Sequence, residues 1–230
     1  MIQTMIANIG KIINQYGHIY VDGIRITLLM SAAAVLGGSF LGTFLSMMKM
    51  SKWHVGKMRP LSLLATLYIE IIRGTPLMVQ MYFFYFVLPM AFPSLNTDPQ
   101  VSIVIALILN SAAYMAEIIR SGIEAVDHGQ AEAARSLGLN GKQTMIKIVL
   151  PQAIKNILPA MCNEFVTIIK ETAIVATFFG GDIMTAFKIV NGITYLAIEP
   201  LVVAAVCYFV ITFVLSKIIA VFERRLKASD

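Results

Sequence analysis

Two groups of charged and hydrogen-bonding residues interrupt apolar stretches of this chain: Glu70, Arg73 and Thr75, and then Asn163, Glu164, Lys170, Glu171 and Thr172. A lone charge in hydrocarbon is expensive, so such residues must pair or face a cavity. Glu70 and Arg73 are three apart and can close an ion pair on one helix face. Beside them Gly74 lowers helix propensity and Pro76 removes a backbone N–H, so a bend or interruption is expected. Glu164 and Glu171, seven apart, face roughly the same way, whereas Lys170 lies off that face and can snorkel outward or bridge to another helix. Two readings stand for both groups. Either they fix a bent helix and pack or gate as polar groups, or they line a path and compensate a solute's charge as it leaves water. That chemistry is binding and release. No bond-making residue is expected, because His18, His54 and His128 are scattered, without metal-ligand spacing or a nucleophile partner. Cys162 and Cys207 fall in apolar segments and read as small buried hydrophobes, with no metal site implied.

The elements that must hold these residues are membrane helices. Of 230 residues, 58% are hydrophobic and 13% charged, with a mean hydropathy of +0.78, more apolar surface than a soluble core of this size can hide. An all-α polytopic membrane protein with five transmembrane helices is expected. Residues 1–22 form an N-terminal interfacial segment, with a short surface helix over 1–16 and no signal peptide. One membrane domain covers 23–225, and 226–230 are a tail. The first span runs from about Ile24 to Met48, with Ala34, Gly38 and Gly42 placing small residues along one face. A second apolar block, Leu61 to Pro89, carries the Glu70–Pro76 run. Met90 to Pro99 is a short external turn before a third span from about Gln100 to Ile119, whose Asn110, Ser111 and Glu117 should face protein or water. A fourth block covers Ile154 to Phe179 and a fifth Pro200 to Phe222; residues 183–199 have no firm assignment and are placed near the outer surface.

Charge orients the chain. Lys and Arg gather in three segments holding four, five and four of the 18 basic residues: 49–59, 120–155 and 217–227. Keeping all three on the cytoplasmic side requires an odd number of crossings, N-terminus outside and C-terminus inside. The formal charge of +5 is thereby explained beside spans, and nucleic acid is not an expected partner.

The middle basic segment, Asp127 to Pro151 (DHGQAEAARSLGLNGKQTMIKIVLP), is a polar, helix-forming insert between spans. Asp127 with Gln130, and Asn140 with Gln143, read as N-caps with their N3 partners on either side of a joint at Gly138, and Pro151 is expected to close the pair. Glu132 and Arg135 can pair on one face, and Ala131, Ala133 and Ala134 leave a smooth surface. Glu132-Ala133-Ala134, Gly138, Ile148 and Leu150-Pro151 closely resemble the signature loop of permease subunits in bacterial ABC importers. Tyr68–Phe86 (YIEIIRGTPLMVQMYFFYF) and Leu150–Val175 (LPQAIKNILPAMCNEFVTIIKETAIV) resemble one branch of that family, the polar amino-acid uptake permeases. The likeness runs from about Gly23 to Arg225.

This resemblance implies a type I importer-like permease in the bacterial cytoplasmic membrane. Its ATPase-coupling residues would be Glu132, Ala133, Ala134, Arg135, Gly138 and Pro151. Glu70, Arg73, Gly74, Thr75 and Pro76 would belong to the transport core, and Asn163, Glu164, Lys170, Glu171 and Thr172 would serve the path or its gating. The implied partners are two cytoplasmic ABC ATPase subunits, a second permease subunit, an extracytoplasmic amino-acid-binding protein and membrane lipid. The chain has no glycine-rich phosphate loop with Lys and Ser/Thr, so ATP and Mg are expected on the ATPase subunits and no cofactor on this chain. Intramembrane acids leave an autonomous ion-coupled carrier or channel as the alternative. Among the acids in the spans, Glu70, Glu117, Glu164 and Glu171 outnumber Arg73 and Lys170, which leans toward a zwitterionic or cationic cargo.

Overall fold

The computed structural model describes residues 2–93 and 98–227. Helices dominate, and among the described residues the only β pairing is an isolated bridge between Val55 and Met58. The first helix, α1 (Ile2–Lys49), is unbroken over 48 residues. At 1.5 Å per residue this is about 72 Å, more than twice what the hydrocarbon requires. The expected separate interfacial helix over 1–16, and the division at residue 22, are therefore corrected: the N-terminal segment is the first half of α1. No proline interrupts residues 2–49, and tertiary packing holds the extension. Ile12 and Tyr20 are buried in a cluster with Ile183, Ala186, Val190, Val203 and Ala204. The Asn8 amide donates to Glu199 at 3.0 Å and the Tyr20 hydroxyl to the Pro200 carbonyl at 2.9 Å.

The expected small-residue face of α1 is buried at Ala34, Gly38 and Gly42, against α4 (Pro99–Glu124). A Cβ on Gly42 would lie 2.7 Å from the Met115 Cβ and 2.9 Å from both the Ala112 carbonyl oxygen and the Ala116 nitrogen. The two backbones approach as closely as glycine allows, the means by which helices associate where no hydrophobic force separates them from lipid.

The second apolar block is two helices, α2 (Pro60–Gly74) and α3 (Leu77–Ala91), bent by 107° across Thr75 and Pro76. The predicted interruption is there for the predicted reason: Thr75 is extended, and Pro76 (φ −62°, ψ 136°) begins the next helix without an N–H. Of the expected external turn, residues 94–97 lie outside the described residues. The third span proves longer than expected, to Glu124.

Beyond α4, a short helix α5 (His128–Ser136) precedes α6 (Gly141–Thr144), whose Asn140–Gln143 capping box forms as anticipated. Pro151 does not close this unit. The chain passes from α6 through a π turn (Met145–Val149) into α7 (Leu150–Glu171) without a break. The Leu150 N–H reaches back to the Met145 carbonyl, a widened turn immediately before the proline ring that would otherwise crowd the preceding turn. The helical run that carries the fourth span thus begins at Gly141. It tightens into a 3₁₀ stretch (Thr172–Phe178) ending at Phe179, whose φ of 52° is uncommon for an aromatic residue.

The segment left without assignment contains α8 (Ile183–Thr194), which packs against the N-terminal half of α1. Asp182 caps it. This buried carboxylate accepts hydrogen bonds from the Met184 and Thr185 N–H groups, the Thr185 hydroxyl and the Tyr208 hydroxyl on the last helix, α9 (Ile198–Lys227). Among the described residues four helices are long and apolar enough to cross a bilayer, or five if the bent α2–α3 pair counts as one span. Tail residues 228–230 lie outside the described residues.

Replacing Gly42 with Val is expected to force α1 and α4 apart and cost on the order of 1–3 kcal/mol or more, as overpacking does. Gly17→Ala, at a site with nothing within 4 Å, serves as the neutral control. Thermal unfolding of the purified chain in detergent checks this; equal melting temperatures for the two variants would remove the close-packing argument.

Candidate functional site

Two regions carry the predicted residues: the loop around α5, and the polar faces of α2, α4 and α7. In the loop, the Asp127 side chain accepts from the Gly129 N–H at 2.7 Å, so it caps α5 without the Gln130 return bond of a capping box. At the other end of α5 the Leu139 N–H bonds the Ala134 carbonyl (3.1 Å) and the Gly138 N–H bonds the Arg135 carbonyl (2.9 Å). This is a Schellman closure, and it places Gly138 at φ +89°, a conformation suited to glycine. The predicted joint is real.

The loop's surface differs in part from expectation. Ala134 is buried, and Ala131 packs on Val126, Val149, Ala153 and Ile157, so these alanines seat α5 on its own chain. Ala134 is therefore corrected from a docking contact to a packing residue. Glu132, Ala133, Arg135, Gly138 and Pro151 are exposed. Among the described residues Glu132 and Arg135 form no ion pair, and both charges face outward. The sequence reading missed Leu137: the C-cap residue of α5 is 82% exposed at the tip of the loop. Its signal was a large apolar residue just before the glycine of a polar turn.

The second region corrects the proposed Glu70–Arg73 pair. Arg73 instead approaches Glu117 of α4, at 3.9 Å, and stacks over the Tyr114 ring at 5.2 Å from its centroid. Glu117 is a hub, only 15% exposed, which also accepts Lys49 at 2.5 Å and Arg120 at 2.9 Å. Glu70 is exposed and makes no ion pair among the described residues. The break at Pro76 is repaired by a residue the sequence reading did not single out. Gln80, buried on α3, donates through Nε2 to the Ile72 carbonyl (2.7 Å), the Thr75 carbonyl (3.0 Å) and the Thr75 hydroxyl (2.9 Å). Ile72 is the carbonyl that residue 76 would bond in an unbroken helix, so Gln80 supplies the N–H that proline lacks. Its own carbonyl accepts from Asn110 of α4 at 2.9 Å.

On α7, Glu164 and Glu171 share a face as predicted. Both carboxylates are half-buried, and neither receives a hydrogen bond or closes an ion pair among the described residues. Asn163 and Lys170 are exposed beside them. Thr172 is fully buried, and its hydroxyl donates to the Ile169 carbonyl at 2.7 Å. Among the described residues no group of three His, Cys, Asp or Glu is placed to hold a metal ion.

The chain thus combines a loop helix seated on its own body but exposing charges and an apolar tip, a broken span, and two half-buried acids on one helix face. Residues 34–228 match the family described as binding-protein-dependent transport system inner membrane component. The chain belongs to this family. It is a multi-pass inner-membrane permease component. It is 41% identical over 209 residues to the arginine transport system permease protein ArtQ of Bacillus subtilis, covering 91% of this chain and 93% of that protein. To the glutamine transport system permease protein GlnP of Escherichia coli it is 33% identical over 208 residues, covering 90% and 92%. Among solved structures, a chain of an amino acid ABC transporter superposes with a TM-score of 0.84 at 42% identity, covering 93% of this chain and 96% of that one. A chain of the inward-facing MetNI methionine ABC transporter, at 17% identity, shares the fold with a TM-score of 0.74 over 90% and 96%.

Exchanging Gln80 for Leu strands the Ile72 and Thr75 carbonyls and the Asn110 amide. Each buried orphan costs about 1–3 kcal/mol, so a clear fall in melting temperature is expected. Adding Pro76→Ala returns an N–H to Ile72 and should recover part of the loss. No recovery would show that Gln80 stabilises the bend by some other route.

Proposed function

We propose that this chain is the permease subunit of an ATP-driven importer for polar amino acids, working by alternating access with a second permease subunit. The N-terminus lies outside and the C-terminus inside, so α5 and α6 face the cytoplasm, where two ABC ATPase subunits dock on Glu132, Ala133, Arg135, Leu137 and Gly138. ATP and Mg are held by those subunits. An extracytoplasmic binding protein delivers the cargo.

The observation that carries this reading is the unbroken run from α6 through the π turn into α7. Closure of the ATPase pair displaces α5 and its glycine joint. With no hinge at Pro151, that displacement passes along one helical body to the face that bears Glu164 and Glu171. Asn163, Glu164, Lys170 and Glu171 line the path, and Arg73 and Thr75 border it at the break of the second span. Two carboxylates without internal partners suit the ammonium or guanidinium of a zwitterionic or cationic amino acid, which would neutralise them on entry. Glu117 drops out of this balance, because Lys49, Arg73 and Arg120 already surround it.

The test is ATP hydrolysis by the reconstituted assembly with its binding protein, scanned across the amino acids. Polar zwitterionic or cationic amino acids should stimulate it, and the chain without ATPase subunits should not transport. Stimulation by none of them, or flux without the ATPase, would overturn the proposal. Gly138→Val puts a β-branched residue at positive φ and is expected to cost on the order of 1–3 kcal/mol in the loop. Uptake should fall while membrane insertion is unchanged. Glu171→Gln removes a charged contact worth about 1.5–3 kcal/mol, so the half-saturating cargo concentration should rise roughly ten- to a hundredfold at constant protein abundance. A drop in abundance alone would return Glu171 to a packing role.

A further inference from the structure

The loop between α1 and α2 is a built clip, and nothing in the importer cycle above uses it. The Val55 N–H bonds the Met58 carbonyl at 2.9 Å, and the Met58 N–H returns to Val55 at 3.2 Å. Gly56, at φ +62°, takes the first turn position, where such two-residue turns favour glycine. The Ser51 side chain accepts from the Trp53 N–H at 3.2 Å, and the Ser62 hydroxyl of α2 donates to the Lys49 carbonyl at 2.9 Å, tying the clip's two ends together. Cross-strand partners and alternate residues share a side, so Trp53, Val55 and Met58 fall on one face of the clip. All three are more than half exposed. Around them stand Lys52, His54, Lys57 and Arg59, every one exposed, and residues 49–59 contain no acid. Next to the clip, Met58, Arg59, Ser62, Leu63 and Thr66 line an open groove of about 370 Å³ along the first turns of α2.

We infer that this clip is a binding site for anionic phospholipid in the leaflet it faces, the cytoplasmic one if the orientation proposed above holds. It joins two helices of the membrane domain, so a bilayer surface is the nearest large partner available to it. Its chemistry matches one occupant. Trp and the apolar pair enter the headgroup–acyl boundary, Lys52, Lys57 and Arg59 meet phosphate, and the groove beside Arg59 takes the upper part of an acyl chain. The uncapped amino end of α2 adds a favourable partial charge. A zwitterionic lipid offers the apolar contact but no net charge to balance these cations. An acidic surface of another protein would offer charge without an insertion depth for Trp53.

Trp53 is the chain's one tryptophan, so its fluorescence reports this site alone. The full chain is reconstituted into symmetric vesicles of phosphatidylcholine with phosphatidylglycerol, carrying the bromine quencher on one lipid or the other at equal mole fraction. Symmetric leaflets make the readout independent of orientation and of transport, so a failure here is separable from a failure of the importer reading. Each basic side chain near an anionic surface contributes roughly a fivefold local enrichment, so brominated phosphatidylglycerol is expected to quench Trp53 at least about threefold more than brominated phosphatidylcholine. The triple variant Lys52→Gln, Lys57→Gln, Arg59→Gln should lose the excess while still inserting. Glycerol phosphate in solution should not compete. Equal quenching by the two lipids, an excess that survives the triple variant, or protection of Trp53 when ATPase subunits are added would each overturn the proposal.

Discussion

Hydrocarbon offers no water to a carbonyl that has lost its helix partner, and the structure depends on how the chain meets that constraint at Pro76. A span bent by 107° frees backbone groups at its elbow, and in a bilayer each would cost more than the bend could return. Gln80 solves the problem with one side chain. It donates to Ile72 in place of the proline's missing N–H, closes on Thr75, and turns its own carbonyl to Asn110. The elbow becomes a fixed corner joined to α4, and α4 is itself pressed on α1 along the glycine face. These elements form one stiff body.

Charges are treated in two opposite ways within this body. At the ends of α1 and α4, Glu117 is surrounded by Lys49, Arg73 and Arg120, a network whose members satisfy one another. On α7, Glu164 and Glu171 stand half-buried on one face, and among the described residues neither closes an ion pair. The acid on α4 is committed within this chain, whereas the two on α7 are open to the role proposed above.

In the proposed cycle, motion has one route between the loop and that face. The π turn lets α6 and α7 continue past Pro151, so a push received by α5 would pass into a single helical body. The buried seat of Ala134 and Ala131 matters here: α5 is held to its own chain by small side chains and can transmit a push, while Leu137 and the charges of Glu132 and Arg135 remain outward.

Much of this was legible in the sequence because its causes are local. The break at Gly74–Pro76, the Asn140–Gln143 box, the glycine joint at 138, the close-packing face at Ala34, Gly38 and Gly42, and the shared face of Glu164 and Glu171 each follow from backbone chemistry or helical spacing within a few residues. The membrane setting follows from hydropathy alone. Tertiary structure decided the rest, because long or buried side chains choose partners by proximity in space. Arg73 left Glu70, one turn away, for Glu117 in another helix; Ala134 and Thr172 turned inward; and residues 2–22 joined α1 because α8 and α9 were there to bury Ile12 and Tyr20. Gln80 looked like one more polar residue in an apolar run until the elbow it fills could be seen.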